Sequence, residues 1–232
     1  MNSGVLIIFF ACGLMLVLGV ALLGAYLAKK RRDAFRIFAA SKGWTYTERD
    51  DRWCTHFQGH PFGEGHNLSA SNVVTGQHDG RSFVAFDYVF HTTESSTNSQ
   101  GHSSTREVSH DFGIVAVDAE VAFPQLAVTP EGFFTRFVGK LLNKDIELES
   151  DDFNRAFSVT CEDRKFASDV LHPRMMETLL AVRDIGWEFN GHWLLAFEQG
   201  HHELAELERR LGVLDAVLDG IPEFVWREVR GQ

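Results

Sequence analysis

Cysteine is scarce in this chain, with only Cys12, Cys54 and Cys161 in 232 residues and no two of them in a CxxC pair. That spacing excludes a disulfide framework and a zinc ribbon, and the two cysteines beyond the N-terminal apolar run are expected as buried free thiols. Basic charge is missing over most of the length as well. The net charge is −10, yet residues 1–42 carry six basic side chains against the single acid Asp33, about +5, so the remainder holds about −15. A surface of that sign repels phosphate backbones, and no basic stripe with interleaved aromatics offsets it, which excludes nucleic acid as a partner. Catalytic signatures are absent too: there is no GxSxG elbow, Walker loop, dinucleotide fingerprint or paired Cys/His nucleophile. No catalytic residue and no cofactor site is assigned on this reading.

What the chain does have is apolar material. Apolar residues make up 44% and aromatics 12%, enough to bury a core and to exclude disorder. The largest block is Val5 to Ala28, a run of 24 residues without a charge and with fourteen Leu, Ile, Val and Phe. Roughly 20 such residues cross a hydrocarbon core, so residues 5–28 are predicted as a transmembrane helix. A cleaved signal peptide fits less well: residues 1–4 carry no Lys or Arg, the run exceeds a usual h-region, and small residues at −3 and −1 are missing near its end. Lys29, Lys30, Arg31 and Arg32 follow at once. The positive-inside bias keeps that flank in the cytoplasm, at the membrane surface beside anionic headgroups, and places residues 1–4 outside. The expectation is therefore a single-pass protein of the cell membrane with a cytoplasmic domain over residues 43–232. Ala21 and Ala25, and Gly24 and Ala28, have the small-xxx-small spacing that seats a weak homodimer.

Past the anchor, residues 29–42 read as a basic juxtamembrane helix carrying Phe35 and Phe38 and stopped by Gly43. Strands are predicted at 44–47, near 72–74, over 83–91 and 108–117, at 146–149, at 156–160, and over 187–189 and 192–197. Asp79-Gly80 and Asn190-Gly191 are the hairpin turns, and Thr92 to Thr105 is a polar loop tip. Helices are predicted over 130–142, opened by a proline, and over 164–171 and 173–182. A last one carries Leu204, Leu207, Leu211, Leu214 and Leu218 and ends at Gly220 and Pro222. Antiparallel hairpins with helices at the ends and between them make an α+β domain.

Three histidine groupings are candidates for chemistry. Cys54, His56 and His60, with His66 beyond, combine thiolate and imidazole, the ligands zinc prefers, and would make a metal-dependent hydrolase, although the spacing matches no standard site. His202-Glu203-Leu204-Ala205-Glu206 lacks the second histidine of a zincin helix and reads as an exposed, charged helix start. His91, His102 and His110 border the polar tip, where only strand register decides whether they meet. The apolar face from Phe133 to Leu142, with Arg136 and Lys140 interspersed, suits a core helix and also a membrane interface, which would make the protein an anionic-lipid-binding adaptor.

Several stretches carry a resemblance: Lys42-Gly43-Trp44-Thr45-Tyr46, Asn72-Val73-Val74-Thr75-Gly76, Phe83-Val84-Ala85-Phe86-Asp87-Tyr88, Phe153-Asn154-Arg155-Ala156-Phe157, Leu171-His172-Pro173-Arg174-Met175-Met176 and Pro222-Glu223-Phe224-Val225-Trp226. Together the chain resembles an uncharacterised family of single-span, membrane-anchored actinobacterial proteins. The resemblance implies the architecture and brings no activity, cofactor or site residue with it. The expected function is that of a membrane-anchored, non-enzymatic binding or interaction module, held to the lipid bilayer by its N-terminal helix and engaging a protein or small ligand.

Overall fold

A computed structural model describes residues 3–97, 103–131 and 146–231. One helix, α1, runs without a break over Ser3–Ser41, so the predicted anchor and the predicted juxtamembrane helix are a single rod. Among the described residues it is the one helix long and apolar enough to cross a membrane, and none of its apolar window within Cys12–Ser41 is buried against the domain. Its end is set locally. Gly43 adopts φ 71°, the left-handed conformation that glycine reaches without strain, and the Trp44 N–H donates to the Ala39 carbonyl at 2.8 Å.

Among the described residues eight strands follow: β1 (Thr45–Arg49), β2 (His66–His78), β3 (Arg81–Thr97), β4 (Ser103–Asp118), β5 (Leu126–Pro130), β6 (Phe157–Cys161), β7 (Trp187–Asn190) and β8 (Trp193–Gln199). They form one antiparallel sheet in the order β1-β2-β3-β4-β8-β7-β5-β6. Between and after them come α2 (Asp151–Ala156), α3 (Arg164–Val170), α4 (Pro173–Leu180), α5 (Leu204–Gly220) and α6 (Glu223–Val229). The predicted α+β class is thus the observed one.

Strand alternation sends side chains to two separate cores. Phe83, Ala85, Val115 and Val117 face the helices, where they meet Phe35 of α1 and Leu207, Leu211, Leu214 and Leu218 of α5. Val84, Phe86, Tyr88, Ile114 and Trp193 face the other way, under the segment between β1 and β2 that contributes Cys54, Phe57 and Phe62. Trp44 fixes the end of α1 on the first core: its ring lies 4.7 Å from that of Phe83, its indole N–H donates to the Gln77 carbonyl, and Gly76 leaves the space it fills.

The structure corrects several local expectations. Thr92 to Thr97 is strand, paired residue by residue with Ser103 to Val108, because Ser and Thr continue a ladder as readily as they form a loop. Residues 98–102, with His102, lie outside the described residues. Pro130 closes β5 instead of opening a helix, and residues 132–142 of the predicted helix, Phe133 to Leu142 among them, also lie outside the described residues. Residues 146–149 form no strand, although the Ile146 N–H still donates to Val159. A capped helix, α2, precedes β6, with the Ser150 hydroxyl accepting from the Phe153 N–H. The Asp79-Gly80 turn has φ of 48° and 78°, as such a two-residue hairpin requires. The other hairpin is shifted by one: Asn190 pairs with Trp193, so its loop is Gly191-His192, with Gly191 at φ 63° in the position where only a glycine is at ease.

Candidate functional site

Asp87 stands in an otherwise apolar strand, on the helix-facing side of the sheet, and its side chain is 0% exposed. A buried carboxylate survives only if donors replace its water. Register supplies the neighbours: Ser71 of β2 lies opposite Asp87 on one side and Gly113 of β4 on the other. One extra residue in β2 between Ser71 and Val74, a β-bulge, puts Asn72 at φ 49° and turns its side chain onto the same face. The Asn72 amide donates to Asp87 Oδ2 at 2.7 Å, while its own carbonyl oxygen accepts from the Tyr46 hydroxyl at 3.0 Å.

The main partner comes from α1. Arg31 of α1 grips Asp87 in fork geometry, Nη1 to Oδ2 at 2.5 Å and Nη2 to Oδ1 at 3.0 Å, and Nη2 also donates to the His202 carbonyl at 2.7 Å. The His202 N–H closes the ring by donating to Asp87 Oδ1 at 2.9 Å. Burial pushes the Asp87 carboxyl up, but the Arg31 hydrogen bond, the charges around it and Asn72 outweigh that and hold it below the usual carboxylate value.

His202 sits immediately ahead of α5 and is 3% exposed, not the exposed residue the sequence suggested. Its Nε2 donates to the Ile114 carbonyl at 2.6 Å, and Nδ1 has no partner. The ring fits because Gly113 has no side chain: a Cβ there would come within 2.9 Å of His202 Nδ1. Burial drives the imidazole down to about 4, so it is neutral at physiological pH. The exposed end of α1 also pairs with α5, Lys42 to Glu208 at 2.5 Å.

Beside this cluster a pocket of about 510 Å³ opens between α1 and the edge of the sheet, lined by Leu27, Ala28, Arg31 and Arg32 from the helix and by Glu48, Arg49, Ser71, Asn72, Asp87 and His201 from the domain. The four predicted membrane-surface cations divide here. Lys29 and Lys30 stay exposed, Arg31 is committed to Asp87, and Arg32 pairs with Glu48 at 3.0 Å.

Of the other sequence candidates among the described residues, His66 and His91 meet as partners across β2 and β3, their ring centroids 6.4 Å apart, and the rest lie apart. Among the described residues no three His, Cys, Asp or Glu side chains gather as metal ligands. Cys54 is buried in the second core, its thiol pushed up to about 11 by burial, and Cys161 is a free thiol as well. The His56 ring packs on Trp53 and Trp193, His60 meets Glu64 at 2.8 Å, and His66 reaches Glu107 at 3.1 Å. In β3 and β4, His91 pairs with Ser109 and His110 with Phe90, which puts the two histidines on opposite faces of the sheet. Ala21, Ala25, Gly24 and Ala28 are exposed along α1.

Residues 114–209, less than half the chain, match a family described as "Protein of unknown function (DUF3137)". That stretch holds His202 and its acceptor Ile114 but neither Asp87 nor Arg31. Among solved structures, the mycobacterial trehalose monomycolate transport factor A, TtfA, superposes with a TM-score of 0.57 over 82% of this chain and 96% of its own. The fold resembles that of TtfA. Identity to TtfA is 15%, so the likeness concerns the fold alone. No curated protein matches.

Proposed function

We propose that this chain is a membrane-anchored, non-enzymatic adaptor: Val5 to Ala28 spans the bilayer, and the acidic sheet domain binds a membrane-protein partner on the cytoplasmic side. The observation that carries the reading is the Arg31–Asp87 pair, its carboxylate fully buried, which joins the apolar helix to the domain by side chains and not by a linker. A domain that only needed tethering would do as well on a flexible chain. A domain held at a set angle to the bilayer suits contact with a second membrane protein. The description of TtfA as a transport factor supports an accessory role beside a transport system, and the Lys29 to Arg32 cluster supports the cytoplasmic placement.

The test uses the full chain in its own membranes. Chemical crosslinking in intact cells, followed by solubilisation and pull-down, is expected to recover one recurrent membrane protein, and Asp87→Ala is expected to lose it. A single cysteine placed at the exposed Thr47 is expected to escape a membrane-impermeant maleimide until the cells are opened. Labelling of intact cells would reverse the topology, and the absence of any recurrent partner would end the adaptor reading.

A further inference from the structure

The pocket beside Arg31 is lined by both apolar and cationic side chains. Leu27 and Ala28 are the last residues of the apolar run, so in an anchored chain they mark the level where hydrocarbon gives way to headgroups. The same lining includes Arg32 from α1 and Arg49 from β1, and Arg49 lies opposite Ser71 in the strand register. Its volume of about 510 Å³ is that of a small-molecule site and far exceeds a water.

The three arginines are not equally free. Arg31 is fixed on a carboxylate that has no access to water. Arg32 pairs with Glu48 at side-chain exposures of 40% and 57%, and Arg49 with Asp51 at 62% and 46%. Exposed pairs of this kind are worth little, because water solvates both partners once they separate. Either guanidinium can therefore exchange its carboxylate for a phosphate, whose oxygens match its fork of donors.

We infer that this pocket seats the phosphodiester headgroup of an anionic phospholipid from the adjoining leaflet. Arg32 and Arg49 bind the phosphate, Ser71 offers its hydroxyl to the headgroup, and Leu27 and Ala28 meet the start of the acyl chains. The inference rests on the membrane anchoring proposed above but needs no protein partner.

Native mass spectrometry of the full chain in mild detergent, titrated with phosphatidylglycerol or phosphatidylcholine, tests it. The expected result is one phosphatidylglycerol retained per chain in preference to phosphatidylcholine. Arg49→Gln, at an exposed position that leaves Arg31 and Asp87 untouched, is expected to weaken retention about tenfold, the order of one charge-assisted hydrogen bond. Ser71→Trp fills the pocket without altering any charge and is expected to abolish it. Lys29→Gln with Lys30→Gln is expected to keep it. Equal retention of both lipids, or a preference that survives Arg49→Gln, would overturn the inference. So would a preference lost with the two lysines instead, which is the sign of diffuse surface attraction. Inorganic phosphate raising the melting temperature as much as the lipid does would also overturn it, by assigning the site to a free anion. Carbonate extraction reads the anchoring separately: if the chain washes off membranes, the anchoring itself fails, whatever the lipid result.

Discussion

Asp87 gathers donors from three remote parts of the chain, Arg31, Asn72 and the His202 N–H. Removing the carboxylate leaves a half-buried guanidinium without its counter-charge, so Asp87→Ala is expected to cost about 3 kcal/mol, at the lower end for a broken buried pair because Arg31 keeps some contact with water. Denaturant melts of the full chain in detergent check this. His202 gives an acid dependence. Its folded value of about 4 lies below the ordinary 6.5, so its contribution is complete above pH 6.5 and is lost as the pH falls toward 4, about 3 kcal/mol in all. The Asp87 carboxyl is also held below its ordinary value, so its own contribution is lost only in stronger acid. Melts at pH 7, 5.5 and 4.5 should fall steeply for the natural chain and much less for His202→Gln; equal slopes would remove His202 as the cause. Arg210 offers the opposite case. It is buried, paired with Glu198, and its Nε and Nη1 have no partner. Replacing both partners, Arg210→Met with Glu198→Gln, should then leave stability unchanged or raise it by up to about 2 kcal/mol, and a clear loss in the same melts would refute this.

These residues also mark where a sequence stops being informative. Arg31 sits in a run of four cations, and nothing nearby reveals that its partner is 56 residues away. The available signal was Asp87 itself: a charge within Phe83 to Phe90 needs a partner in any packed sheet. His202 looked like part of a polar helix start because its burial depends on a missing side chain at Gly113.

At the scale of elements, features with a local cause were legible. The Asp79-Gly80 turn, the leucine stripe of α5 and the glycine stop of α1 all depend on residues within a few positions of one another. Gly43→Ala is expected to cost about 1 kcal/mol, since alanine must adopt φ 71° to keep the cap. Hydrogen exchange should show the loss as earlier opening of the last turn of α1, around Phe38 to Ser41. What misled was composition. The Ser and Thr of β3 and β4 read as loop, yet each strand supplies the other with a complete ladder, and pairing across a hairpin overrides a weak single-strand preference. The α2 helix escaped notice for the related reason that six residues are too few to show a period.

For the whole molecule, the order of parts was readable: an apolar helix, then a sheet with helices on it. What could not be read was how firmly the two are joined. The apolar helix and the juxtamembrane helix that continues it were expected as two successive elements, but α1 passes through the boundary without a hinge and is held on the sheet by the Arg31–Asp87 pair and by Phe35 in the core. A helix turns about 100° and rises about 1.5 Å per residue. In a chain anchored as proposed, any roll or lean that a neighbouring span imposes on Val5 to Ala28 therefore reaches the far edge of the sheet as the same roll or lean. The bilayer end works as the handle of a stiff lever, and the domain follows it with no slack in between.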